Sequence, residues 1–132
     1  MKTRESNIKR ILVVEDEPEI SAFCWRVLTS EGFDVDIAVQ GKVAQEMLEK
    51  KQYDLCLIDI RLPVLDGKEL YQWLKERHPK LVNGVIFTTG DIMGGGDTQI
   101  ILEQAERPLL PKPFTPNDLK AIVREALRQL EK

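Results

Sequence analysis

Leu55-Cys56-Leu57-Ile58 is a short apolar run that ends abruptly on a carboxylate, Asp59. A run of that length without polar alternation reads as a strand buried on both faces. Charge is costly inside such a strand, which places Asp59 at its exit, where a loop opens. Pro63 and the pair Asp66-Gly67 then break the chain ahead of the next helical pattern.

The rest of the chain repeats this grammar. Ile11-Leu12-Val13-Val14 is a second short run, and it too ends in acid, Glu15-Asp16-Glu17. Pro18 suits the first turn of a helix with Asp16 or Glu17 near its N-cap. Ile20, Phe23, Cys24, Val27 and Leu28 share one face of that helix, and Gly32 suits its C-terminal end. Phe33 to Ala38 alternates Val35 and Ile37 with Asp34 and Asp36, the pattern of an edge strand. Gly41 begins a second helix with Val43, Ala44, Met47 and Leu48 inward. A third helix, from about Gly67 to His78, carries Leu70, Trp73 and Leu74 on its apolar side, and Pro79 stops it.

Val85 to Thr89 is a fourth strand, ending in Gly90-Asp91. A loose segment follows, Ile92 to Asp97, with Gly94, Gly95 and Gly96 in a row, and then a short helix from about Thr98 to Ala105. Pro108 to Pro111 suggests a very short fifth strand. Thr115 and Pro116 suit the N-cap and first turn of a last helix, with Leu119, Ile122, Val123, Ala126, Leu127 and Leu130 at helical spacing.

Strand and helix alternate five times, which specifies a parallel sheet with helices on both faces. Crossovers are right-handed, and ligands of open sheets of this kind sit beyond the carboxyl ends of the strands. Those ends carry Glu15 and Asp16, Asp59, Thr89 and Gly90, and Lys112.

The 132 residues suit a single domain, 1–132, with a core of about 9–131. Formal net charge is −3, so no basic surplus points to nucleic acid. No apolar run is long enough to cross a bilayer and no signal core follows the charged N-terminus, so a cytoplasmic setting is expected. Cys24 and Cys56 each fall in an apolar pattern, as buried thiols of a reducing compartment do.

Clustered carboxylates raise one another's pKa unless a cation is present. Mg²⁺ takes oxygen ligands, needs one or two carboxylates, and keeps waters or phosphate oxygens in its other positions. A lysine and a threonine hydroxyl suit phosphate oxygens, and a residue as small as Gly90 leaves room for an incoming group. These parts specify a carboxylate that can be phosphorylated, with metal and lysine offsetting charge in the transition state.

Val13 to Pro18, Leu57 to Pro63 with Asp66-Gly67, Phe87 to Gly90, and Leu110 to Phe114 resemble the receiver domain of two-component response regulators over nearly the whole chain. The resemblance implies a flavodoxin-like, CheY-like doubly wound α/β fold: five parallel strands in the order 2-1-3-4-5, helices on both faces. It implies that Asp59 is the phosphoacceptor, supplied by a phosphohistidine on a sensor histidine kinase or phosphotransfer protein. It assigns Mg²⁺ to Asp16 and Asp59 directly, to the backbone carbonyl of Arg61, and to Glu15 through water. Lys112 would pair with Asp59 and then with phosphoryl oxygens, Thr89 would swing in to bond the phosphoryl group, and the Lys112-Pro113 peptide would be cis.

Arg61 and Asp91 take loop positions that tune hydrolysis in this family; here they either pair across the site or stay solvated. Output is expected through the face of the fourth helix, fifth strand and last helix, to a downstream effector or a second copy of the chain. On that face two positions depart from the family: Gly90 stands where Ala is commonest, and Leu109 where an aromatic often couples its rotamer to phosphorylation. The three glycines suggest that the fourth helix responds by ordering.

Glu17 is an acid at a helix start, favoured there by the dipole and otherwise solvated. His78 is a C-terminal cap or surface residue, Trp25 and Trp73 are packing or half-buried surface residues, and Thr88 is a strand residue. The function expected is a phosphorylation switch that catalyses its own phosphorylation and slow dephosphorylation without an independent substrate. A degenerate receiver that only binds a partner is the first alternative, and the intact Asp16, Asp59, Thr89 and Lys112 argue against it. An aspartyl-phosphate phosphatase is the second; it wants an acid two residues after the nucleophile, where Arg61 stands. The chain is either a free-standing regulator or a piece of a hybrid kinase or transcription factor.

Overall fold

Each apolar run forms a strand and each helical pattern between described residues forms a helix. The computed structural model describes residues 8–62, 64–90 and 106–131. In chain order it runs β1 (Arg10–Val14), α1 (Pro18–Ser30), β2 (Asp34–Ala38), α2 (Gly41–Lys50), β3 (Leu55–Asp59) and α3 (Gly67–Arg77). A 3₁₀ turn (Pro79–Gly84), β4 (Val85–Thr89), β5 (Leu109–Pro111) and a last helix (Pro116–Leu130) complete it. The sheet has the order β2-β1-β3-β4-β5, all pairs parallel, as expected. Asp91, the three glycines and the expected fourth helix lie outside the described residues, so of the face expected to carry output only Gly90, Leu109 and the last helix are described.

Strand alternation divides the core in two. Leu12, Val14, Cys56, Ile58, Val85 and Phe87 face α2 and α3, where Leu48, Leu70 and Leu74 close the layer. Ile11, Val13, Leu55, Leu57, Ile86 and Leu110 face α1 and the last helix, where Cys24, Leu28, Leu119 and Val123 close the other. All five residues of β3 are buried, which is why its sequence carries no polar alternation. Cys24 and Cys56 are free and buried in opposite layers, and burial raises both thiols, Cys24 to about 12.

Caps fix the helix starts around the site. Asp66 and Glu69 form a reciprocal capping box on α3, and Thr115 with Asp118 forms one on the last helix. Gly32 has φ +95°, the left-handed conformation that ends α1. The segment after Pro79 is not a plain stop: it winds into a 3₁₀ turn that buries Leu81 before β4. His78 caps α3, and its Nε2 lies 3.1 Å from Glu49 Oε2.

Candidate functional site

At the carboxyl ends of the strands, backbone bonds continue the sheet from β1 to β2, from β3 to β4 and from β5 to β4. Glu15 N–H donates to the Ala38 carbonyl at 3.0 Å, Ile60 to Thr88 at 2.9 Å, and Lys112 to Thr89 at 2.8 Å. Glu15, Asp59, Thr89 and Lys112 therefore stand on one rim because the strands that carry them are adjacent and end together.

Asp59 is the last residue of β3 and only 4% exposed. Its Oδ2 accepts from Lys112 Nζ at 3.1 Å and its Oδ1 from the Arg61 N–H at 3.1 Å. The loop that follows is pressed against the start of α3. Gly67 N–H donates to the Ile60 carbonyl at 2.9 Å, and a Cβ at Gly67 would lie 2.7 Å from the Asp59 carbonyl. Glycine is thus required for α3 to begin this close to the acid. Val64 in the same loop has φ +67° although it is β-branched and 79% exposed.

Lys112 Nζ is the centre of the cluster. It lies 3.0 Å from Glu15 Oε1, 3.1 Å from Asp59 Oδ2 and 3.2 Å from Glu17 Oε1. Burial, and next the charge of Asp59, push the Glu15 carboxyl up to about 7. Burial also raises Asp59, with Lys112 and the Arg61 amide working against the rise. Burial opposes the charge on Lys112, but its bonds to Glu15 and Asp59 outweigh that and raise it. One ammonium does not neutralise this group of acids, and the unmet charge is the electrostatic condition for a hard cation. Carboxylate oxygens of Glu15, Glu17 and Asp59 all lie within 4.8 Å of one another, so the donor set fits Mg²⁺.

Glu17 is solvent-exposed, as expected, but its side chain makes no cap bond to α1 and also reaches Lys112, a contact the sequence did not suggest. Asp16 is exposed and lies outside the three converging carboxylates, though its charge adds to the rise at Asp59. Thr89 is fully buried at the end of β4, next to the exposed Gly90. Leu109 is half-buried against the layer of α2 and α3. The Lys112-Pro113 peptide is cis. Beside Lys112 a cleft of about 560 Å³ opens among Glu17, Ile20, Phe23, Gly90, Pro113 and Phe114.

One structural contact had no sequence signal. Arg107 donates to the carbonyls of Asn83 at 2.6 Å and Val85 at 2.9 Å, tying the approach to β5 to the start of β4.

A five-stranded parallel sheet of order 2-1-3-4-5 with a cluster of acids at its carboxyl rim that could hold a metal ion defines a flavodoxin-like α/β protein. The chain belongs to the response regulator receiver domain family, whose model matches residues 11–124. It is 34% identical over 121 residues to the response regulator protein PilR of Pseudomonas aeruginosa, covering 91% of this chain and 26% of the relative. It is 33% identical over 123 residues to the alkaline phosphatase synthesis transcriptional regulatory protein PhoP of Bacillus subtilis, covering 93% of this chain and 50% of the relative. The chain thus spans half or less of the length of these two relatives. Among solved structures, a CheY-like receiver domain protein from Methanospirillum hungatei superposes with a TM-score of 0.85 at 28% identity, covering 95% of this chain and 98% of that one. The chain is therefore a receiver domain of the two-component kind. Among the described residues no helix is long and apolar enough to cross a membrane.

Proposed function

We propose that Asp59 accepts a phosphoryl group from a phosphohistidine on a sensor kinase or phosphotransfer protein, and that the chain works as a phosphorylation-controlled switch in the cytoplasm. The observation that carries this reading is the 3.1 Å contact of Lys112 Nζ with a carboxylate oxygen buried at the tip of β3. An Asp59 oxygen attacks phosphorus, the bond from phosphorus to the histidine nitrogen breaks, and the imidazole leaves with its electron pair. Lys112, already aligned on the acceptor oxygen, holds the charge that gathers on the phosphoryl oxygens. Thr89 donates its hydroxyl to one of those oxygens.

When bound, Mg²⁺ supplies the second positive charge of the transition state. Asp59, Asp16 and the Arg61 carbonyl are its proposed ligands, with Glu15 acting through water. Glu17 belongs in that neighbourhood by position. Hydrolysis of the acyl phosphate then resets the switch, with Arg61 and Asp91 tuning its rate. The apolar cleft of Ile20, Phe23 and Phe114 beside Lys112 is the proposed seat of the phosphate-bearing partner. Output to an effector, or to a second copy of the chain, is proposed through the face that includes Gly90, Leu109 and the last helix.

The test is incubation with acetyl phosphate and Mg²⁺ followed by intact-mass measurement. A single phosphoryl addition, absent in Asp59→Asn, supports the switch. No addition in the native chain would instead favour a module that only binds partners.

A further inference from the structure

We propose that Glu17 is a specificity-determining residue of phosphoryl uptake: its carboxylate holds Lys112 in the resting site and discriminates against phosphodonors by their negative charge. The inference rests on the reading of Asp59 as acceptor.

An ammonium has three N–H donors. Lys112 directs contacts at Glu15, Glu17 and Asp59, 3.0, 3.2 and 3.1 Å away, so all three donors are taken. A phosphoryl oxygen that needs this ammonium has to displace one carboxylate. Glu15 and Asp59 side chains are 3% and 5% exposed, whereas Glu17 is 59% exposed. Glu17 is the one of the three that yields to solvent without unburying a charge. Its backbone is held in place: the Glu17 N–H donates to Glu15 Oε2 at 3.2 Å, and Pro18 starts α1 immediately after it.

Glu17 also borders an opening onto Lys112. It lines the cleft beside Lys112 together with Gly90 and Glu19. A donor moving through that opening meets carboxylate before it meets ammonium, and the repulsion grows with the charge it carries. The discrimination is thus electrostatic, exposed to solvent and weakened by salt.

Two small donors separate charge from chemistry. With acetyl phosphate, largely a dianion at neutral pH, an Asp59 oxygen bonds to phosphorus, the bond from phosphorus to the bridging oxygen breaks, and acetate leaves with the electron pair. With phosphoramidate, a zwitterion of net charge −1, the same bond forms, the phosphorus–nitrogen bond breaks, and ammonia leaves with protons it already carries. The experiment measures both initial rates by intact mass, at saturating Mg²⁺, for the native chain, Glu17→Gln and Glu17→Asp, at low and high ionic strength. Glu17→Gln is expected to raise the acetyl phosphate rate about three- to tenfold and the phosphoramidate rate less, so that the ratio of the two rates rises. Glu17→Asp is expected to keep the ratio near the native value, and salt to narrow the gap. An unchanged ratio in Glu17→Gln overturns the proposal. So does a slowing with both donors, which would make Glu17 a supporter of the cation instead of a barrier. Native chain that takes phosphoryl from neither donor overturns the parent reading of Asp59, and this inference with it.

Discussion

Glu15 is 3% exposed and bonds Lys112, yet its carboxyl stands well above its ordinary value of 4.5, at about 7. Raised folded-state pKa values of acids mean that the folded form binds protons more tightly than the unfolded form. The stability contributed by Glu15 is therefore complete below the unfolded value and is lost as pH rises through about 7. Asp59 shifts in the same direction, and Lys112, raised from 10.5, loses its contribution only in strongly alkaline solution. With EDTA present, denaturant melts between about pH 5 and about pH 8 should show stability falling by roughly 1–3 kcal/mol, and Glu15→Gln should flatten that fall. An equal slope in both proteins would show that Glu15 is not the group responsible. At this scale the sequence was legible where residue type and position agreed: Asp59, Thr89 and Lys112 stand at strand ends as expected. Glu17 was not legible, because an acid at a helix start is favoured by the dipole whatever its side chain touches.

At the scale of the element, the loop from β3 to α3 sets the position of the acceptor. A Cβ at Gly67 would meet the Asp59 carbonyl and the Ile60 Cα, each at 2.7 Å, and both are backbone that cannot step aside. Gly67→Ala should therefore cost about 2–3 kcal/mol in a urea melt. Gly90→Ala is the control: among the described residues the nearest atom to a Cβ there is Lys112 Cδ at 3.9 Å, an ordinary contact, and stability should stay within about 0.5 kcal/mol. Equal costs at the two positions would refute the close-approach argument. In the same loop Val64 holds φ +67° at 79% exposure, so Val64→Asn should raise stability by about 1 kcal/mol, read in the same melt. Loss of stability there would mean that the valine makes a contact that outweighs its backbone strain. β1, β3 and β4 were legible because short apolar runs without polar alternation leave no helical period to fit. The 3₁₀ turn Pro79–Gly84 was not, since six residues are too few to show a period and Pro79 reads as a stop. Nor was the conformation of Val64, because a β-branched residue is a poor signal for positive φ.

Across the whole molecule, two apolar layers clamp a sheet whose central strand, β3, is buried along its full length. That clamp sets Asp59 at a rim where the neighbouring strands deliver Glu15, Thr89 and Lys112. Strand order was legible only through the resemblance: alternation specifies a parallel sheet, but 2-1-3-4-5 is one of several orders that alternation allows. The tie from Arg107 to the carbonyls of Asn83 and Val85 joins segments 22 and 24 residues apart and left no pattern to read. Borohydride reduction converts a phosphoaspartate to homoserine and so tests, at residue resolution, whether the Asp59 side chain becomes an acyl phosphate. The chain is incubated with acetyl phosphate and Mg²⁺, reduced, digested and mapped by mass spectrometry. Homoserine is expected at position 59 and at no other acid of the rim. Unreduced Asp59, or label on Glu15, Asp16 or Glu17 instead, would contradict it.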